Sequence, residues 1–203
     1  MRRSRKVDRA EHRDEIQTVV RNAELFHEHG VSLPTRMIYM GHPEGTGPEM
    51  AAQVIKNLHV LEAINAQPIT VIMNNPGGSV YDGLAIYDAV ESCGCEITII
   101  ARGHVMSMGS IILQAAKMRV VGSTSTHLIH YGTDGVYDVH SKDFTRRARE
   151  NERINAWMER LYLRRIREKQ PKFPLSRLRK MLNFDTFLTA EQSVALGLAD
   201  AIG

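Results

Sequence analysis

Cysteine is nearly absent from this chain: Cys93 and Cys95, with Gly94 between them, are the only two. Two thiols so spaced build neither a disulfide framework nor a four-ligand zinc site. They read as reduced small residues in a turn and point to a cytoplasmic setting. Long apolar runs are missing as well. No stretch approaches the roughly 20 residues of a membrane span, and the segment behind the first basic residues is charged and amphipathic, unlike a secretion signal. Charge of one sign is scarce: 26 Lys and Arg against 23 Asp and Glu leave a formal +3. Much of that surplus sits in Arg2, Arg3, Arg5 and Lys6, a basic mobile tail expected over residues 1–14. So even a balance argues against a nucleic-acid partner. No internal repeat or low-complexity tract stands out, and nothing in the composition asks for a cofactor or a metal.

What is present is an ordinary globular composition, 43% hydrophobic and 24% charged in 203 residues. That suffices for one domain with a real core, expected over residues 15–203. Glu15 to His29 places Ile16, Val19, Val20, Ala23 and Phe26 on one face and stops at Gly30, an amphipathic helix. A short strand follows over Arg36–Met40. Thr46-Gly47-Pro48-Glu49 reads as a capping box opening a helix that carries Met50, Val54, Leu58 and Leu61.

The middle of the chain alternates strand and helix. Pro68–Met73 is an apolar run suited to a strand covered on both faces, and it breaks at Asn74-Asn75-Pro76-Gly77-Gly78. Ser79 caps the next helix. Glu96–Ala101 is a strand, Ser107–Lys117 a helix, and Met118–Val121 and Thr126–His130 are strands. The pattern implies α/β architecture with a largely parallel sheet and right-handed crossovers. From about Val139 to Lys169 one long charged helix takes over, with a rough seam through Phe144, Met158 and Leu161; a short helix near Ser176–Leu182 and a closing strand over Leu198–Ile202 complete the chain.

Everything in this order turns on Ser107. It lies where an apolar strand passes without a linker into a helix, with Gly103 before it and Gly109 after it. A serine becomes a nucleophile at such a junction, where a sharp turn exposes its oxygen beside free backbone N–H groups. Acyl transfer also needs a base, a group orienting that base, and donors for the developing oxyanion. His130, at a strand end, is the best-placed base. For the orienting acid the pattern leaves Asp134, Asp138, Asp143, Asp185 and Asp200 open.

Five stretches, Asn75-Pro76-Gly77-Gly78, Gly103 with Ser107-Met108-Gly109, His127-Leu128-Ile129-His130, Asp185-Thr186-Phe187-Leu188-Thr189-Ala190 and Gly197-Leu198-Ala199-Asp200, resemble the proteolytic subunit of the Clp protease family in order and spacing. The resemblance runs from roughly Met37 to the C-terminus. It implies a crotonase-like, ClpP-like fold, a spiral of β-β-α units with a long helical handle. It also implies a serine endopeptidase working inside a homo-oligomeric chamber of stacked rings on peptide or unfolded protein. By the same resemblance Ser107 is the nucleophile, His130 the base and Asp185 its orienting acid. The backbone N–H groups of Gly78 and Met108 form the oxyanion hole, and Gly77, Ser79, Tyr131 and Gly132 bind substrate.

Two departures qualify that picture. The family usually carries a Gln-Pro pair after its histidine, whereas Tyr131 and Gly132 stand here. The family's apolar N-terminal segment, which engages a Clp-type ring ATPase, has no counterpart, so that partner is in doubt. Competing readings are a catalytically silent ring subunit, a phage-type maturation protease, and an acyl-thioester enzyme of the crotonase fold; the last uses no serine nucleophile.

Overall fold

The computed structural model describes residues 2–41, 43–132 and 140–203, with side chains from Asp14 onward. Helix α1 (Arg2–His29) begins well before the expected Glu15. No Pro or Gly interrupts the sequence before Gly30, and Arg, Lys, Glu and Ala there are good helix formers. Gly30 ends it at φ +63, donating its N–H to the Phe26 carbonyl. Strand β1 (Val31–Ser32) pairs antiparallel with β2 (Met37–Gly41). Then come α2 (Pro48–Ile64), β3 (Ile69–Asn75), α3 (Val80–Ser92), β4 (Ile97–Met106), α4 (Met108–Leu113), β5 (Met118–Val121) and β6 (Thr126–Ile129). The long helix α5 (Ser141–Lys169), α6 (Leu175–Leu182), β7 (Thr186–Leu188), α7 (Ala190–Leu196) and β8 (Ala201–Ile202) close the chain.

The sheet runs β1-β2-β3-β4-β5-β8, parallel from β2 onward. β4 divides its two halves between different neighbours. Thr98–Ala101 pair with β5, whereas His104–Met106 pair with β6, and Gly103 at φ +67 marks the change. β6 in turn carries the short antiparallel β7. The sequence places the end of this strand at Ala101, because polar Arg102, Gly103 and His104 interrupt the apolar run. Pairing with β6 overrides that signal. As a result the carboxyl ends of β3, β4 and β6 finish side by side, where sites gather in parallel sheets.

Two apolar cores hold this arrangement. One lies under α2 and α3, where Leu58, Leu61 and Ile86 pack on Ile38, Met73 and Ile99 of the strands. The other joins α4, α5 and α6 through Ile111, Leu161, Tyr162, Ile166, Leu178 and Leu182. Each fully buried Leu or Ile contributes about 1.5–3 kcal/mol. Met158 and Leu161 of the expected seam are buried in this second core; Phe144, further up α5, is 58% exposed. The expected capping box is also absent. Gly47 is the N-cap of α2, and the Thr46 hydroxyl instead meets the Asn75 side chain.

Candidate active site

Ser107 follows the last residue of β4 and precedes the first of α4. Its N–H still donates to the Leu128 carbonyl of β6 at 3.0 Å, so the ladder holds its backbone in place. Its own dihedrals, φ +51 and ψ −119, lie where a residue with a Cβ rarely sits. Strain of this kind persists only where surrounding structure enforces it, and it clusters at functional sites. Gly77 leaves room for the elbow: at φ +102, a Cβ added there would come 2.6 Å from the Ser107 Cβ.

His130 stands directly after β6. Its Nε2 is 2.9 Å from the Ser107 Oγ, and its Nδ1 is 2.9 Å from Oδ1 of Asp185, the residue before β7. A carboxylate only accepts, so Nδ1 carries the proton and Nε2 is left to accept from the serine hydroxyl. The three expected residues are thus joined in one directed chain of hydrogen bonds. His130 is 21% exposed and Asp185 61%, so the acid end meets solvent. Asp143 is taken up instead by Arg146, and Asp200 by Arg119. Asp134 and Asp138 lie outside the described residues.

The backbone N–H of Gly78 is placed by a single bridge. Thr46 donates its N–H to Gly77 O and accepts from Ser79 N–H, at 2.7 and 2.8 Å. In such a parallel bridge the intervening residue, Gly78, turns its own N–H to the opposite side. Gly78 has φ +140, and a Cβ there would lie 2.3 Å from the Thr46 carbonyl oxygen, so only glycine fits. Among the described residues neither the Gly78 nor the Met108 N–H has a hydrogen-bond partner.

A cavity of about 620 Å³ opens over these groups. Gly78, Ser79, Ser107, Met108, His130 and Gly132 line it, with Val80, Ile111, Ile154 and Met158 as apolar wall. Arg147, Glu150, Asn151 and Asn155 of α5 add a polar side that the sequence reading missed. Their spacing of three and four residues was the available signal, since it puts them on one helix face with Ile154 and Met158. A second cavity of about 570 Å³, by the Cys93–Cys95 turn, includes none of these residues. Gly77 sits under the elbow rather than in the cavity wall. Tyr131 turns away: its N–H donates to Leu182 O, and its hydroxyl donates to Glu159, which Arg179 also holds through two 3.0 Å bonds. Burial, with the hydrogen bond to Glu159, pushes the Tyr131 phenol up to about 12.

The arrangement can polarise a hydroxyl and receive an anion beside it, which is what acyl transfer requires. Comparison with known proteins agrees with that chemistry: the family model described as Clp protease matches residues 23–203. The chain belongs to the Clp protease family. It is 30% identical over 173 residues to the ATP-dependent Clp protease proteolytic subunit of Deinococcus radiodurans, a match spanning 84% of this chain and 81% of that relative. Membership makes it a hydrolase, a protease with the ClpP-like α/β fold. Among the described residues no helix is long and apolar enough to cross a membrane.

Proposed function

We propose that this Clp protease family member is a serine endopeptidase, with Ser107 as nucleophile, His130 as general base and acid, and Asp185 orienting the imidazole. The observation that carries the reading is the continuous chain Ser107–His130–Asp185, two 2.9 Å contacts ending on a serine at positive φ beneath a cavity. Ser107 Oγ attacks the scissile carbonyl carbon while its proton passes to His130 Nε2. The carbonyl oxygen, now anionic, takes the N–H groups of Gly78 and Met108. The C–N bond breaks, the leaving amine receives the proton from His130, and an ester to Ser107 remains. Water, deprotonated by the same histidine, hydrolyses that ester and restores the serine.

Substrate binds as an extended strand beside Gly78 and Ser79 on one side and the Gly132 backbone on the other. One side chain enters the cavity against Ile111, Ile154 and Met158. The enzyme works as a cytoplasmic homo-oligomer of stacked rings on peptides or unfolded protein. The relative's name speaks of ATP dependence, and a Clp-type ATPase is the corresponding partner. Here α1, whose Phe26 ring lies 6.4 Å from Tyr39 of β2, takes the place of the family's usual docking segment. Short peptides are therefore cut without an ATPase. Labelling by a fluorophosphonate tests the core of this reading. An adduct on Ser107, lost together with peptide hydrolysis in Ser107→Ala, supports it; turnover retained by Ser107→Ala sinks it.

A further inference from the structure

We propose that His127 is a positioning residue for this hydrolysis: with Ser110, Tyr162 and Ser193 it forms a buried brace that holds the elements carrying Ser107, His130 and Asp185 in register. The proposal rests on the serine-peptidase reading above. His127 lies on β6 and is only 1% exposed. Its Nε2 is 2.6 Å from the Ser110 Oγ, and its Nδ1 is 3.1 Å from the Ser193 Oγ. Ser110 also receives the Tyr162 hydroxyl at 2.8 Å, and Ser193 donates to the Thr189 carbonyl at 2.8 Å.

These bonds have one consistent direction. Ser193 spends its proton on a carbonyl, so it accepts from His127 Nδ1–H. His127 Nε2 is then an acceptor and takes the Ser110 proton, while Ser110 takes that of Tyr162. The chain Tyr162 to Ser110 to His127 to Ser193 to Thr189 O is therefore closed. Ser110 and His127 repeat the letters of the catalytic pair, but Ser110, Tyr162 and Ser193 are as buried as the histidine. No substrate reaches them, and a second active site is excluded.

What the brace touches explains its presence. Ser110 is on α4, and its N–H donates to the Ser107 carbonyl at 3.0 Å. His127 is on β6, three residues before His130, in register with Val105 of β4 and Leu188 of β7. Ser193 is on α7, the helix after β7, and β7 begins at Thr186, directly after Asp185. Tyr162 comes from α5 and closes the set. Ser107 and His130 thus each have a brace residue on the adjoining element, and Asp185 has one on the helix that follows β7. A buried polar network gives little stability beyond an apolar core of equal volume, but it fixes geometry. Misplacement of about 1 Å can cost about 10²-fold in rate.

The test compares Tyr162→Phe, Ser110→Ala and His127→Gln with an all-apolar brace (Ser110→Ala, His127→Leu, Tyr162→Phe, Ser193→Ala) in the full-length protein. Three quantities are read well below the unfolding temperature: fluorophosphonate labelling rate, and kcat and KM for a short fluorogenic peptide. Expected are folded single variants slowed at least about tenfold in labelling and kcat with KM unchanged, and an all-apolar brace as stable as wild type yet equally slow. Tyr162→Phe removes one oxygen and decides the matter if His127→Gln does not fold. Wild-type labelling rates in folded Tyr162→Phe and Ser110→Ala, or in the all-apolar brace, overturn the proposal. A wild-type protein that takes no label fails the serine-peptidase reading instead.

Discussion

Ser107 and His130 stand 23 positions apart in sequence, yet their side chains meet at 2.9 Å because β4 and β6 run parallel and end together. The contact exists only through the second half of β4, which pairs with β6 after leaving β5. Asp185 completes it because β7 returns antiparallel along β6, bringing the residue before Thr186 up to the end where His130 stands.

Replacing Asp185 by Asn should lower kcat about 10³-fold with KM little changed. An amide can present its NH2 to Nδ1 and favour the wrong tautomer, leaving Nε2 protonated and unable to accept from Ser107. The loss falls below the roughly 10⁴ of a buried acid, because Asp185 is exposed enough for water to restore part of the orientation. Asp143→Asn, which only releases Arg146, should leave kinetics unchanged. Steady-state kinetics of both variants decide; a larger loss at Asp143 would discard Asp185 as the orienting acid.

Gly77→Ala should be nearly inactive while remaining folded. The new methyl would sit 2.6 Å from the Ser107 Cβ and 3.1 Å from the Met106 carbonyl oxygen, at a φ that L side chains rarely adopt. Either the elbow or the Gly77–Ser79 segment must move. We expect about a 10²-fold drop in kcat and a stability loss of about 1–3 kcal/mol, measured by peptide hydrolysis and urea unfolding. Undiminished fluorophosphonate labelling would show that the elbow tolerates the methyl.

Much of this was legible in the sequence, and the gaps have physical causes. Apolar runs of β-branched residues announce β3 and the first half of β4, and Ser79 announces α3, because those signals are local. The second half of β4, β1 and β7 were missed because pairing with a distant strand, not local pattern, makes them extended. Thr46 was misread as a cap for a related reason: its letters fit a capping box, but the long-range partners Asn75 and Gly77 claim it. Ser107, His130 and Asp185 came from motif resemblance, since spacing alone left five aspartates in play. The His127 brace gave no signal, because a buried polar contact across four elements has no sequence period.

Acid should destabilise the protein in two steps. Burial, with the nearby Arg119 charge, holds the His127 imidazole down at about 3, against an ordinary 6.5. The unfolded chain therefore takes up a proton that the folded one refuses, and stability falls as pH drops from about 6.5 toward 3. Asp200 acts at lower pH. Burial raises its carboxyl, but hydrogen bonds and charge from Arg119 outweigh this and leave it below the usual range. Its contribution is present above the unfolded value and disappears as pH falls through the folded one. Asp200→Asn should cost about 1–3 kcal/mol near neutrality, because it takes the counter-charge from Arg119, which is buried, while Asp200 itself faces solvent. Urea midpoints between pH 7 and 4 (roughly the range in which the unfolded His127 gains its proton while Asp200 stays ionised) should fall for wild type and flatten in His127→Gln. A wild-type midpoint independent of pH there would contradict the buried neutral imidazole.

Assembly should depend on the first turns of α5. The buried residues of this helix begin at Met158, so its first turns leave the second core behind and carry Phe144 exposed. An apolar ring on an otherwise charged helix is best covered by another copy of the chain, consistent with a chamber of stacked rings. Light scattering at micromolar concentration should give a mass many times the 22.9 kDa of one chain. Phe144→Asp should shift it to smaller assemblies without changing the midpoint of urea unfolding for each folded subunit. A monomer mass for wild type would rule out the chamber, and an unaltered mass for Phe144→Asp would move the interface elsewhere on the molecule.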